Sequence, residues 1–146
     1  MSRPLKLAVG CHLAVALGAA AMGLVYLFSP RFMPYHAQVV GADWEAVPTG
    51  FQRLILAFQR GSGVAVLACA LALSVLALVP LRRGELWAMR AIPAVGFAGL
   101  VPLAVIVGRL GAETGAAVPL LPLLAAIALL AVGWIASELG ASRARK

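Results

Sequence analysis

The sequence predicts an all-α integral membrane protein, an up-down four-helix bundle with both termini cytoplasmic. Three observations carry this reading. Four apolar stretches, Leu5–Phe28, Phe51–Val79, Leu86–Leu110 and Ala116–Ser137, fill most of the 146 residues. Each suffices for the ~30 Å hydrocarbon core of a bilayer, which takes about 20 helical residues at 1.5 Å rise. Hydrophobic residues make up 63% of the chain and its mean hydropathy is +1.00; a soluble domain of this size has too little interior to hide so much apolar surface. The third observation is where the charges fall. Arg3, Lys6, Arg82, Arg83, Arg90, Arg143, Arg145 and Lys146 share one rim with Glu85 and Glu138. Arg31, Arg53, Arg60 and Arg109 share the other with Asp43, Glu45 and Glu113. An excess of Lys and Arg marks the cytoplasmic side. The chain therefore reads as a single transmembrane domain over 1–146, multi-pass in a cell inner (plasma) membrane, with its first and third loops outside. The basic rim would attract anionic headgroups, so membrane lipids are expected partners. The net charge of +7 is a membrane signature here, and nucleic acid is not expected.

The first segment opens like a secretory signal, with Arg3, Lys6 and a run ending near Ala19-Ala20-Ala21. The run continues to Phe28, too long for a signal core, so a retained span is expected. Gly10, Ala14 and Gly18 repeat at four-residue spacing on one face; His12, Ala16, Ala19 and Gly23 make another, roughly opposite. Small residues let helix backbones approach closely within lipid, so this helix is expected at the centre, with neighbours on both faces. Ser29-Pro30 ends it.

The loop Ser29–Gly50 is the longest connection. Tyr26, Phe28, Phe32, Tyr35 and Trp44 fit an interfacial aromatic belt around it. The second segment, Phe51–Val79, would be roughly 44 Å long and so must tilt or protrude. Its first turns are amphipathic: Phe51, Leu54, Ile55 and Phe58 share one face, and Gln52, Arg53, Leu56, Gln59 and Arg60 the other. Gly61-Ser62-Gly63 marks a flexible or closely packed point. Pro80–Glu85 is a tight turn. The third segment carries Pro93 and Pro102, each removing a backbone hydrogen bond and bending the helix; Arg90 snorkels to the near surface. Pro119 suits the first turn of the fourth segment, and Ala141–Lys146 is expected as a short, disordered basic tail. Trp87 and Trp134 mark the inner interface.

The candidate site is the polar face at the start of the second segment. Gln52 with Gln59, and Arg53 with Arg60, are each seven residues apart and nearly stacked. Arg109 can join them from the third segment, and Tyr35, His36 and Trp44 can cover them from the loop. Two or three guanidiniums suit an anion: a carboxylate, a phosphate or a lipid headgroup. The bland alternative is that Arg53 and Arg60 snorkel to headgroups or pair with Asp43, Glu45 and Glu113.

No cofactor is implied. His12 and His36 cannot share one iron, because roughly 24 Å of helix separates His12 from Phe28 alone. His12 is expected to pack against a neighbour and hydrogen-bond to it; His36, near Asp43 and Glu45, is a weak metal candidate. Cys11 and Cys69 form no C-x-x-C and read as small buried hydrophobes. All five acids map to loops or helix ends, which disfavours proton-coupled transport, and no catalytic pattern is present. The expectation is a non-enzymatic binding or accessory protein holding an anionic small molecule, lipid headgroup or partner at its extracytoplasmic face. Alternatives are a subunit of a small oligomeric transporter or channel and, below that, a redox or enzyme-complex membrane subunit. A homo-oligomer or larger membrane complex is compatible with each.

Met33-Pro34-Tyr35-His36, Gly41 with Trp44, Gln52, Arg60 to Gly63, and Pro80-Leu81-Arg82-Arg83-Gly84-Glu85-Leu86-Trp87-Ala88 together resemble small bacterial four-helix inner-membrane proteins, broadly DoxX-like in layout. The likeness spans about Pro30 to Pro93. It implies the architecture and points again to the loop and the second helix, and it implies no activity.

Overall fold

Residues 1–144 are described in the computed structural model, with side chains through Ala141. Helix α1 (Arg3–Phe28) leads into a short helix α2 (Pro34–Val40) and a 3₁₀ turn (Trp44–Ala46). Helix α3 (Thr49–Leu76) continues through a π-helical turn (Ala77–Leu81), and α4 (Leu86–Thr114) and α5 (Leu120–Ala144) follow. Four of these helices are long and apolar enough to cross a bilayer, so the protein is a multi-pass helical membrane protein.

The helix starts follow the sequence closely, and the ends near the third loop do not. The third span runs to Thr114, four residues past its expected end. It stops where Gly115 takes the left-handed conformation (φ 71°) and its N–H reaches Gly111 O at 2.9 Å, a glycine stop. The last span begins at Leu120, not Ala116, because Val118 precedes a proline and is steered away from helix. It also continues past Ser137 to Ala144, so most of the expected disordered tail is helical. Gly140 lies against Ser2 Oγ and Leu5, with a Cβ there 3.4 and 3.5 Å from Ser2 Oγ and Leu5 N. The N-terminus and α5 therefore share one end of the bundle. Arg145 and Lys146 lie outside the described residues. At Pro80 the helix widens into the π turn, accommodating a residue that has no N–H to give and would clash with a tight turn. Pro93 and Pro102 both lie inside one continuous α4.

Helix α1 is central, as its small residues imply. It packs on α3 and on α5, α5 packs on α4, and the consecutive α3 and α4 touch little beyond their shared turn. The lateral order is thus α3, α1, α5, α4. Only one of the two small faces serves this packing. Ala16 and Gly23 are buried, whereas Gly10, Ala14 and Gly18 are exposed, with nothing within 4 Å of a Cβ at Gly10 or Gly18. His12 is also buried, at 0% exposure. Its ring lies on Gly133, where a Cβ would come within 2.7 Å of it. Neither ring nitrogen has a hydrogen-bond partner, so its expected polar neighbour is absent and it is held by packing. Cys11 is buried but Cys69 is exposed, and both are free thiols.

The apolar core lies toward the end that holds the termini. Leu5, Ala8, Leu81, Ile92 and Leu130 are among its members. Toward the other end, α1 meets α3 in close backbone contact at Gly23 and Gly63. A Cβ on Gly63 would sit 2.8 Å from both Gly23 O and Leu27 N, so only glycine admits this approach. The obstacles are backbone atoms, which cannot rotate away. Gly63→Ala is expected to destabilise the protein by about 1–3 kcal/mol. Gly61→Ala, with open space at its Cβ, should be neutral or stabilising by up to about 1 kcal/mol. Thermal midpoints in mild detergent check the pair.

Candidate functional site

Beyond the Gly23–Gly63 contact, the helices are joined by a folded loop. Helix α2 begins with Pro34 in its first turn, where a missing N–H costs nothing. His36 then closes a cap: its Nδ1 accepts the Met33 N–H at 3.3 Å. Phe32 is buried and forms the loop's own small core, edge-on to Trp44 at 4.9 Å and to His36 at 6.4 Å. Tyr35 stacks edge-on against His36 at 4.2 Å.

Four polar contacts hold this loop to the bundle, one of them from Gln59 Nε2 of α3 to Arg31 O at 3.3 Å. The Tyr35 hydroxyl is hydrogen-bonded to the Tyr26 hydroxyl of α1. Gln52 Nε2 of α3 donates to Trp44 O at 2.8 Å. Gln38 Oε1 accepts the Ala117 N–H at 2.7 Å, tying α2 to the α4–α5 connection. Sequence analysis assigned the loop aromatic residues but no helix; seven residues opened by a proline carry too weak a period to register.

Under this loop is a half-open cavity of about 300 Å³, lined by Tyr26, His36, Ile55, Phe58, Gln59 and Ser62. Three walls come from three elements: α1 gives Tyr26, α2 gives His36, and α3 gives the remaining four. Ile55, Gln59 and Ser62 recur at four- and three-residue steps, so they line one stripe of α3.

Gln59 is the most constrained of them. It is 5% exposed. Its Nε2 donates to Arg31 O at 3.3 Å, and because a carbonyl only accepts, this contact fixes which end of the amide is which. The other end, Oε1, is buried without a partner. Leaving such an acceptor unpaired costs about 1–3 kcal/mol.

The expected site residues divide into three groups. His36 and Gln59 come together on the cavity. Tyr35, Trp44 and Gln52 stand behind it and fix the loop. Arg53, Arg60 and Arg109 are exposed and outside its walls, and among the described residues none is paired with an acid. Tyr26, Ile55, Phe58 and Ser62 line the cavity without having been singled out for it. Ile55 and Phe58 had been assigned to the face opposite Gln59. A helical stripe is wide enough that Ile55, four residues before Gln59, shares its side. No group of three or more His, Cys, Asp and Glu side chains among the described residues could hold a metal ion. His36 caps α2 and lines the cavity.

Burial holds the His36 imidazole below its ordinary pKa, so at neutral pH it is uncharged. Burial, aided by the Tyr26 hydroxyl, pushes the Tyr35 phenol above its usual range, so Tyr35 stays protonated. No protein-family model matches the chain, and neither curated proteins nor solved structures gave a match.

The folded state takes up a proton at His36 less readily than the unfolded chain. Stability is therefore expected to fall as pH drops below the ordinary histidine value of about 6.5, where protonated Nδ1 can no longer accept the Met33 N–H. His36→Gln keeps an acceptor at this capping position and cannot titrate. Thermal midpoints followed from about pH 7 to pH 5 should fall in the wild type and fall less in His36→Gln.

Proposed function

We propose that this protein is a non-enzymatic membrane binding protein that holds a small amphiphilic molecule in the cavity beneath the α2 loop. The observation that carries this is the half-open space of about 300 Å³ itself, walled by apolar Ile55 and Phe58 beside the polar side chains of Tyr26, His36, Gln59 and Ser62. Ile55 and Phe58 supply apolar wall, and Phe58 is 70% exposed on the helix surface, a position from which an acyl chain can be gripped. The charge asymmetry supports a cytoplasmic basic rim and cytoplasmic termini, and on that reading the cavity opens at the extracytoplasmic face of an inner membrane. Lipids of that leaflet are the nearest source of ligand.

Ser62→Trp fills the cavity from α3. Native mass spectrometry from mild detergent is expected to find a retained small molecule or lipid on the wild type and to lose it in Ser62→Trp. Equal retention in both rules this reading out. The arginines provide a second check. With guanidiniums outside the walls, Arg60→Ala and Arg90→Ala should leave retention alike. Loss in Arg60→Ala alone identifies an anion held at the rim, the ligand class that stacked arginines suggest. A transporter subunit predicts flux, and vesicles containing the protein are expected to match empty ones.

A further inference from the structure

The cavity has no wall from α4. Its lining comes from α1, α2 and α3 alone, although α2 reaches across to α4 and is bonded to the α4–α5 connection. The missing side is where α3 and α4 part. These consecutive helices meet at their shared turn and hardly touch beyond it. The fourth side of the bundle therefore stands open between that turn and α2.

Exposure along α4 records the parting. One stripe of α4 packs on α5: Gly96 lies on Leu130, and Phe97 is edge-on to Trp134 at 6.2 Å. A second stripe, turned away from the first, holds Ala88, Ile92, Val95, Gly99 and Ile106 at helical spacing. Near the turn this stripe is covered, with Ala88 and Ile92 buried in the core. Farther out it is bare. Val95 is 71% exposed and Ile106 64%, and a Cβ on Gly99 would meet nothing within 4 Å. Helix α3 repeats the pattern. Leu76 packs against the core, while Cys69 and Ser62, at successive seven-residue steps on the same side, are exposed. Ser62 also lines the cavity, so the bare stripe of α3 runs into it.

Depth adds a second constraint. The charged turn after Leu81 marks one face of the membrane. At 1.5 Å per residue, Ser62 stands roughly 28 Å from Leu81, close to the ~30 Å thickness of the hydrocarbon core. The polar side chains of the cavity thus lie at the level of lipid headgroups, and the gap beside them at the level of acyl chains. Cys69 and Gly99 both stand roughly 20 Å from the turn, at one depth on the two helices that bound the gap.

We propose that the ligand is a phospholipid of the surrounding bilayer, admitted sideways through this opening, with its head beneath α2 and one acyl chain lying down the gap between α3 and α4. This rests on the reading of the cavity as a binding site. Continuity decides the occupant. The polar cavity and the apolar gap form one path across the headgroup boundary, and a lipid changes polarity at that same depth. A water-soluble solute would leave the gap unfilled.

The test takes full-length protein from nanodiscs of phosphatidylethanolamine and phosphatidylglycerol and reads retained phospholipid by native mass spectrometry. Gly99→Trp fills the gap from α4 and alters no residue of the cavity wall. Val95→Trp does the same one turn away. Both positions are bare, so neither indole displaces packed side chains. Gly18→Trp, at an equally open position on α1, is the control. The wild type and Gly18→Trp are expected to retain a phospholipid, and each gap variant to retain it less by roughly tenfold. Wild-type retention in both gap variants overturns the sideways path; the binding reading stands if Ser62→Trp still loses its adduct. An adduct without fatty acyl chains overturns the lipid and leaves a cavity ligand of another class. A wild-type dimer that Gly99→Trp splits gives the gap to a second copy of the chain and overturns the lipid there. No adduct of any kind on the wild type overturns both readings.

Discussion

The glycine contact between α1 and α3 sets the geometry on which the rest depends. In lipid, one apolar helix gains nothing from touching another through the hydrophobic effect, so association rests on close packing. Gly23 and Gly63 let two backbones meet where any side chain would collide with main-chain atoms. On one side of that point the bundle closes into a core of Leu, Ile and Ala. On the other, Tyr26 and Gln59 stand one turn beyond the contact, three residues from Gly23 and four from Gly63. Both line the cavity, which lies beyond the glycine contact and under the folded loop.

The two ends of the molecule solve different problems. At the end with the termini, α5 runs up against Ser2 and Leu5, and the π turn brings Pro80 and Leu81 into the core. At the other end, polar contacts replace apolar burial. The loop is held by one hydrogen bond to α1, two to α3 and one to the α4–α5 connection. Each of those contacts joins a side chain to a partner that lipid could not supply, so the loop's position is specified even though little of it is deeply buried.

Much of this was legible in the sequence, and the illegible part has physical causes. Span number, the central place of α1 and the singling out of Gln59 follow from hydropathy, small-residue spacing and the rarity of polar side chains in such helices. The choice between the two small faces of α1 did not follow, because Gly10, Ala14 and Gly18 are as smooth as Ala16, Ala19 and Gly23. Only the partner, Gly63, decides. The arginines drew attention because charge is conspicuous in an apolar chain, yet a long guanidinium side chain can leave the helix for water, while the shorter amide at Gln59 cannot. The aromatic belt concealed Tyr26: a tyrosine near a span end reads as an interfacial anchor, and its bond to Tyr35 requires the loop to fold back. Helix α5 outran its expected end because Glu138 and Gly140 weaken a helix without stopping it.

Every residue that lines the cavity falls between positions 26 and 62. The chamber is therefore encoded by one helical hairpin and its connecting strap, before α4 and α5 enter the sequence. During synthesis those walls can meet as soon as the first two spans have left the ribosome, with the Gln38–Ala117 tie added last. The later pair of spans acts as a buttress. Its sequence is free to change for packing without changing which side chains line the chamber, and those lining residues are all written in a single short stretch of the gene.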